Sequence, residues 1–219
     1  MYKPAHFQDA GFEELVAFMR NYSFATLIAN GAEYPAATQI PLLVEEHDGE
    51  LLLKGHLMRK TDHHRALEQH PQVLVLFSGP HTYISASLYE NPASAGTWNY
   101  CSIQAKGLLS WLTQKETRYL LEALTNYYEP ESSAAHFSKI PVAYIDQLIP
   151  AIQGFCIRVT DLQHTFKLSQ NKTALEQARI IASLQESNHE NDRLIAAAMQ
   201  QRQPKATTNE PKSTQGSDS

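Results

Sequence analysis

The chain has 219 residues, with 18 Lys and Arg against 23 Asp and Glu and a formal net charge of −5. This length predicts one domain or one and a half, and an acidic balance without a basic block argues against a large nucleic-acid surface, because DNA affinity depends mainly on neutralised phosphates. No stretch approaches the roughly 20 apolar residues of a membrane span, and the N-terminal sequence lacks the apolar region of a signal peptide.

Short strands bounded by turn signals dominate the first 110 residues. Apolar residues at helical spacing predict a first helix, with Asp9 as its cap. Pro41 indicates an edge or a bulge within its strand, and Gly79-Pro80 interrupts a long apolar strand. The predicted elements are a helix over 9–21, strands over 23–30, 36–46 and 50–57, a helix over 59–71, and strands over 72–89 and 98–112.

Helices are more frequent in the second half. A segment without apolar residues cannot bury enough surface to fold, so the C-terminal end is predicted to be disordered. The sequence therefore predicts a folded domain over residues 1–200 and a tail over residues 201–219. The helix over 115–128 is predicted to turn these side chains inward: Tyr119, Leu120, Leu121, Leu124 and Tyr127. The other predicted elements are a helix over 143–148, a strand pair or one long strand over 151–169, and helices over 172–185 and 190–200.

This order of elements predicts a fold that is mainly β with flanking helices (α+β). The helices flank the strands instead of alternating with them, which favours a small β-barrel over a doubly wound sheet. The sequence lacks the glycine-rich dinucleotide fingerprint, the P-loop and the nucleophile elbow. The three common enzyme classes that carry these motifs are therefore excluded.

The stretch WNYCSIQAKG, residues 98–107, alternates as a strand does. Period two places Trp98 and Tyr100 on one face with Ser102, Gln104 and Lys106. A core would hold apolar groups there, and a solvent face would not hold a tryptophan. A face that is half aromatic and half hydrogen-bonding is typical of a site for a flat ligand rich in heteroatoms.

The stretch KGHLMRK, residues 54–60, joins a strand to a helix. Lys54 and His56 share one strand face, and Arg59 and Lys60 lead into the helix, whose free N–H groups favour a phosphate. The alternative is a solvated basic rim, with the helix capped by the residues at 61–62. An acidic side chain at position 62 would oppose an anion in the first turn.

Histidines and cysteines do not show the spacing of a metal site. Cys101 and Cys156 stand alone in strand-like sequence, which predicts two buried reduced thiols and a cytoplasmic protein. His63 and His64 are neighbours and point in different directions on a helix. No metal is therefore predicted, and a haem ligand among the histidines stays an open alternative.

Two further stretches combine polar groups with strand-like sequence. In GPHTYISASLY, residues 79–89, His81 and Tyr83 share a face, which is equally typical of a strand with one side toward water. In FKLSQNK, residues 166–172, Ser169 or Asn171 can serve simply as a helix N-cap.

Five motifs in this order resemble the PaiB-type FMN-binding negative transcriptional regulators. They are MYKPAHF, KGHL, GPHTYIS, TWNY and KLSQNK, and the similarity extends from Met1 to about Ala198. Two segments depart from the family pattern: the loop over 90–97 is short and nearly uncharged, and His64 stands where an aromatic residue is usual. Both departures concern the open side of the pocket and leave the barrel unaffected.

The resemblance implies an FMN-binding split β-barrel that forms a homodimer, with FMN in clefts between the subunits. It places one group of residues at the flavin ring and a second at the phosphate and ring edge. A third group lies near the ribityl chain or phosphate, from the partner subunit. The three groups are, in turn, Trp98, Asn99, Tyr100 and Gln104; Lys54, His56, Arg59 and Lys60; and Lys167, Gln170 and Asn171.

The function that the resemblance implies is negative regulation of transcription. No helix-turn-helix with a basic recognition helix is recognisable, so direct DNA binding is doubtful and the effect can be indirect. The first alternative is an FMN-dependent oxidoreductase or flavin reductase that uses a nicotinamide nucleotide, since FMN itself carries the redox chemistry and no catalytic triad is needed. The second is a haem-binding split barrel with His56 or His81 as ligand.

Overall fold

A curled antiparallel sheet of seven strands forms the centre of the molecule. The computed structural model describes residues 4–91 and 93–203. In space the strands follow the order β2-β1-β5-β6-β7-β4-β3. Their bounds are β1 Phe24–Ala29, β2 Ala36–Pro41, β3 Leu43–His47, β4 Glu50–Met58, β5 Gln72–Ile84, β6 Thr97–Trp111 and β7 Ile152–Lys167.

Six α-helices of the described residues lie around this sheet. Capping boxes begin two of them: Thr113 with Glu116, and Thr173 with Glu176. The second of these shows that neither Ser169 nor Asn171 is the N-cap, because Thr173 takes that position. The bounds are α1 Phe12–Asn21, α2 Asp62–Gln69, α3 Gln114–Tyr128, α4 Val142–Leu148, α5 Ala174–Gln185 and α6 Glu190–Gln201.

The predicted mainly β fold with flanking helices is confirmed, and several element bounds differ. The segment 36–46 is two strands that separate at Leu42, and Pro41 ends the edge strand β2. The segment 151–169 is one long strand, as the second of the two predicted alternatives has it. The strand predicted over 72–89 ends at Ile84, and its register shifts between Ser78 and His81, at the Gly79-Pro80 interruption. Helix α1 has Gly11 at its N-cap, so Asp9 lies outside it.

The core lies on the concave side of the sheet. Along β6 the odd-numbered side chains turn inward, including the fully buried Ile103 and Ala105. Phe77 and Phe155 fill the barrel from the neighbouring strands, and helices α5 and α6 close one side of it. The even-numbered side chains of β6 therefore form the outer face of the sheet, as the alternation in the sequence predicts.

Helix α3 buries a narrower stripe than the sequence predicts. Leu120 and Leu124 are buried together with Thr117, whereas Tyr119 is 58% and Tyr127 54% exposed. The prediction that both tyrosines turn inward is wrong, because only one face of the helix contacts the sheet and positions 119 and 127 flank that face.

The predicted C-terminal tail lies almost wholly outside the described residues. Position 201 ends α6, residues 202–203 follow it, and 204–219 are not among the residues described. The division into a domain over 1–200 and a tail stays a prediction. None of the helices in the described ranges combines the length and apolar character that crossing a bilayer requires.

Candidate functional site

Three aromatic side chains lie together on the outer face of the sheet, where β5 meets the start of β6. The ring centres of Trp98 and His81 are 6.1 Å apart, and those of Trp98 and Tyr83 are 6.0 Å apart. Trp98 is 53% and Tyr83 54% exposed. We call these three residues the aromatic strip. Tyr100 is half-buried next to it, paired with His81 across the strands.

Lys167 extends this surface onto β7. It lies opposite Tyr100 in the β6–β7 register, and its ammonium group donates a hydrogen bond to the Thr97 hydroxyl. Burial lowers the pKa of Lys167. Gln104 lies on the same outer face, further along β6, and is half-buried.

A cavity of about 240 Å³ opens beside Lys167. The chain turns sharply after β7, where Ser169 has a φ of 61°. The Lys172 ammonium group lies 3.5 Å from the ring centre of Tyr89. We call this cavity the lysine pocket, and the side chains that define it are His6, Tyr89, Thr97, Lys167, Asn171 and Lys172.

Gln170 and Asn99 are engaged within the protein instead of facing this surface. The Gln170 amide donates to the Phe166 carbonyl at 2.6 Å and accepts from the Leu168 N–H at 2.7 Å. Asn99 is fully buried on the opposite side of β6 from Trp98. Its amide exchanges hydrogen bonds with the Ser169 hydroxyl at 3.0 and 3.1 Å.

We expect Asn99→Ala to lower the free energy of unfolding by about 1–3 kcal/mol, because it leaves the buried Ser169 hydroxyl without its partner. Urea denaturation followed by circular dichroism measures this change. The matched control is Asn91→Ala, an exposed asparagine whose side chain accepts from the Ala93 N–H. Unfolding energies that agree for Asn99→Ala and the wild type would contradict the structural role.

A second group of predicted residues begins in the middle of β4 and runs to the start of α2. The Lys54 ammonium group forms an ion pair with Glu45 at 2.5 Å. Both residues line a cleft of about 390 Å³ between the sheet and α3. The Nδ1 atom of His56 is buried without a hydrogen-bond partner among the described residues, and burial lowers the pKa of this imidazole. Burial therefore favours the neutral form of His56.

The last two residues of this group lead into α2. Arg59 donates to the Ile152 carbonyl at 2.8 Å, and Lys60 is exposed with a φ of 65°. Thr61 caps the helix by accepting from the His64 N–H at 3.1 Å, and Asp62 accepts from the His63 N–H at 2.8 Å. The first turn thus carries its own acceptors, and Thr61 is the N-cap that the basic-rim alternative names.

The two histidines of α2, His63 and His64, have packing roles. The His63 Nδ1 atom shares a hydrogen bond of 2.7 Å with the Thr38 hydroxyl, and the His64 ring stacks on Trp111 with centres 5.0 Å apart. Across the described residues, no group of three or more His, Cys, Asp or Glu is arranged to hold a metal ion. Cys101 is buried and Cys156 partly buried; burial raises the pKa of Cys101 to about 12.

The two groups of predicted residues lie far apart within one subunit. Lys54 pairs with Cys156, which pairs with Ser110, while Lys167 pairs with Tyr100. Ten residues of β6 separate these positions, which is roughly 33 Å along the strand at the usual rise per residue. The structure brings Trp98, Tyr100, Lys167 and Asn171 into one region and leaves Lys54, His56, Arg59 and Lys60 in another.

Sequence reasoning missed four side chains of the lysine pocket, His6, Tyr89, Thr97 and Lys172, and one ion pair. Lys172 stands within the quoted KLSQNK motif, so its basic side chain was a visible signal. His6 and Tyr89 also stand in quoted stretches, MYKPAHF and GPHTYISASLY, but only the fold brings them to β7. The Glu45–Lys54 pair joins adjacent strands, and their register is not readable from the sequence.

The fold is that of the split-barrel flavin and haem proteins. A FAD and heme binding protein from Mycobacterium smegmatis superposes with a TM-score of 0.59 at 15% identity, covering 78% of each chain. The flavocytochrome Anf3 from Azotobacter vinelandii superposes with a TM-score of 0.58 at 13% identity, covering 75% of this chain and 72% of its own.

The chain belongs to the family described as "Putative FMN-binding domain", which matches residues 1–161. A relative, the protease synthase and sporulation protein PAI 2 from Bacillus subtilis (strain 168), is 31% identical over 201 residues. That match covers 91% of this chain and 97% of the relative. The predicted resemblance to PaiB-type proteins is confirmed.

The side chains of the outer face fit FMN. The aromatic strip offers an exposed, flat apolar surface for the flavin ring. The lysine pocket adds cations, and Tyr89, which lines it, has a buried hydroxyl without a hydrogen-bond partner among the described residues. Aromatic and cationic groups side by side match the two chemically different ends of the cofactor.

Proposed function

We propose that this protein is an FMN-binding homodimer in which each flavin lies between two subunits. The observation that carries the proposal is the position of the predicted residues at two distant places on the outer sheet face, one of them in the cleft between the sheet and α3. A single subunit cannot close both ends around one flavin, whereas a partner packed on the outer face brings the second end to the first. Ligand sites are often clefts at interfaces, where both sides contribute side chains.

In this arrangement different groups of residues contact different parts of the cofactor. Trp98 and Tyr100 contact the flavin ring, and Gln104 contributes polar groups further along the face. Lys54, His56, Arg59 and Lys60 of one subunit and Lys167 and Asn171 of the other hold the polar side of the cofactor. Asn99 and Gln170 position the turn that carries Asn171. FMN supplies hydride or electron chemistry when it is bound.

The biological role that we propose is negative regulation of transcription, as in the PaiB-type family. The net charge of −5 argues against strong direct DNA binding, so the flavin state is proposed to act through a partner. Cytoplasmic location is part of this proposal, supported by two cysteines that form no disulfide.

The second candidate function is a flavin reductase that uses a nicotinamide nucleotide. The exposure of Trp98 and Tyr83 favours it, since the aromatic strip leaves room for a second planar ring beside the flavin. The oxidation of NADH or NADPH by the flavin-loaded protein separates this function from regulation.

The test of the proposed function is an absorbance spectrum of the purified protein after FMN addition and desalting, with its mass measured by light scattering. We expect a retained flavin spectrum, one FMN per subunit and the mass of a dimer. A monomer that retains flavin at one per subunit would overturn the interfacial site. A protein that retains no flavin at any FMN concentration would overturn the cofactor.

A further inference from the structure

We infer that a cavity between α1, α6 and the inner face of the sheet is a binding site for an uncharged, planar aromatic molecule. The cavity has a volume of about 330 Å³. Its ligand is a second molecule, separate from the flavin, so the inference goes beyond the proposed function and does not depend on it. We call this cavity the inner groove, and the side chains that define it are Phe18, Tyr22, Cys101, Phe166, Leu194 and Ala197.

Two helix faces with the same spacing form the sides of the inner groove. Positions 14, 17, 18 and 21 of α1 line it, and so do positions 194, 197, 198 and 201 of α6. Each set has the spacing of a single helix face. Three of these positions are the short residues Ala17, Ala197 and Ala198, which leave space between the helices. Seven residues of helix rise by roughly 10 Å, which is long enough for two fused aromatic rings.

Three aromatic rings form one wall of the inner groove. The ring centres of Phe18 and Tyr22 are 4.6 Å apart, and those of Phe18 and Phe166 are 4.9 Å apart. Phe18 stands against Gly79, where an added Cβ would lie 2.5 Å from the ring, so its position is tightly packed on that side. Phe18 and Tyr22 are only half-buried. A planar aromatic ligand extends this wall, because aromatic rings attract one another in offset and tilted arrangements.

The charges of the inner groove favour a ligand without charge. Arg202 donates to Glu14 at 2.6 Å and to Asp9 at 3.4 Å, and its guanidinium carbon lies 5.1 Å from the ring centre of Phe166. An anionic ligand would have to displace one of these carboxylates, and a cationic ligand would meet the guanidinium group. Burial raises the pKa of the Cys101 thiol to about 12, so the floor of the groove is uncharged at neutral pH. A neutral molecule avoids the cost of placing a charge there.

The sheet separates the inner groove from the proposed flavin site. Cys101 and Phe166 pair across β6 and β7 and line the groove. Their chain neighbours Tyr100 and Lys167 pair in the same register and lie on the outer face, because successive side chains of a strand alternate. A ligand in the groove therefore contacts the reverse side of the two strands that carry these outer residues. That is a suitable place for an effector of a flavin-binding regulator, at a distance from the cofactor itself.

The experiment measures the binding of indole and of indole carboxylate to the full-length protein, without added flavin. Indole is an uncharged pair of fused rings, and indole carboxylate presents the same rings with a negative charge. The thermal midpoint at rising probe concentration, measured by calorimetry, reports each affinity. The variants Ala197→Phe and Ala17→Phe fill the groove from α6 and from α1, both at exposed positions. The control is Ala178→Phe, at an exposed position of α5.

We expect indole to raise the thermal midpoint of the wild type and of Ala178→Phe by the same amount. Each of the two groove variants is expected to bind indole at least about tenfold more weakly than the wild type, because the new ring occupies the space of the ligand. Indole carboxylate is expected to bind the wild type at least about tenfold more weakly than indole does, because its charge is unpaired in the groove.

A wild type that does not respond to indole would overturn the inference, and so would groove variants that bind indole as the wild type does. Binding that is lost in Trp98→Ala and kept in Ala197→Phe would also overturn it, because the probe would then lie on the aromatic strip. Equal affinities for the two probes would contradict the uncharged chemistry of the site. Failure of the proposed function looks different, since a protein that binds no FMN still shows the indole response and its loss in the groove variants.

Discussion

Replacing Leu108 by Glu is expected to separate the dimer and to remove flavin with it. Leu108 lies on the outer face of β6, 39% exposed, on the same side as Trp98. A partner packed on this face buries the new carboxylate without a counter-charge, which costs several kcal/mol. We expect the dimer dissociation constant to rise at least about a thousandfold. Light scattering across a dilution series measures this change.

The matched control for this variant is Leu148→Glu. Leu148 is 42% exposed on α4, so its substitution adds the same charge at a similar exposure on a helix instead of on β6. We expect it to dimerise and to bind flavin as the wild type does. A Leu108→Glu protein that remains dimeric at low concentration would move the subunit interface to another surface.

Replacing Trp98 by Ala is expected to weaken FMN binding about 10- to 100-fold. Trp98 is the centre of the aromatic strip, with a ring neighbour on each side. Loss of an aromatic stacking surface and its buried area costs about 1.5–3 kcal/mol. Because the side chain is half exposed, the fold does not depend on it. Fluorescence titration with FMN measures the loss.

Two controls assign this effect to stacking. Trp98→Phe keeps an aromatic ring and should restore most of the affinity. Tyr34→Ala removes an aromatic residue that is 80% exposed, in the loop before β2, and should have no effect. Equal affinities for Trp98→Ala and the wild type would exclude the aromatic strip from the flavin site.

The elements of the fold could largely be predicted because their patterns are local. The alternation in WNYCSIQAKG gave the outer face of β6 correctly, since period two needs no tertiary information. The same rule places Asn99 on the inner side, away from Trp98, so its buried position was also readable. The width of the buried stripe on α3 could not be read from the sequence, because the exposure of Tyr119 depends on how much of the helix the sheet contacts.

The candidate site was predicted in its residue types and only partly in its arrangement. Trp98, Tyr100, Lys167 and Asn171 lie together as their alternation and motif order suggest. The distance of Lys54 from them depends on strand register, which a single sequence does not contain. Tyr89 ends the quoted stretch GPHTYISASLY, and only the fold shows that its hydroxyl is buried without a partner among the described residues.

The separation of Lys54 and Lys167 along the sheet has a genetic consequence. A site assembled across a dimer takes one end from each subunit. A mixed dimer, with one subunit defective at Lys54 and the other at Lys167, therefore contains one wholly intact site and one doubly defective site. Two alleles that each abolish binding alone would restore activity when they are expressed together, with at most half of the sites working in each mixed dimer.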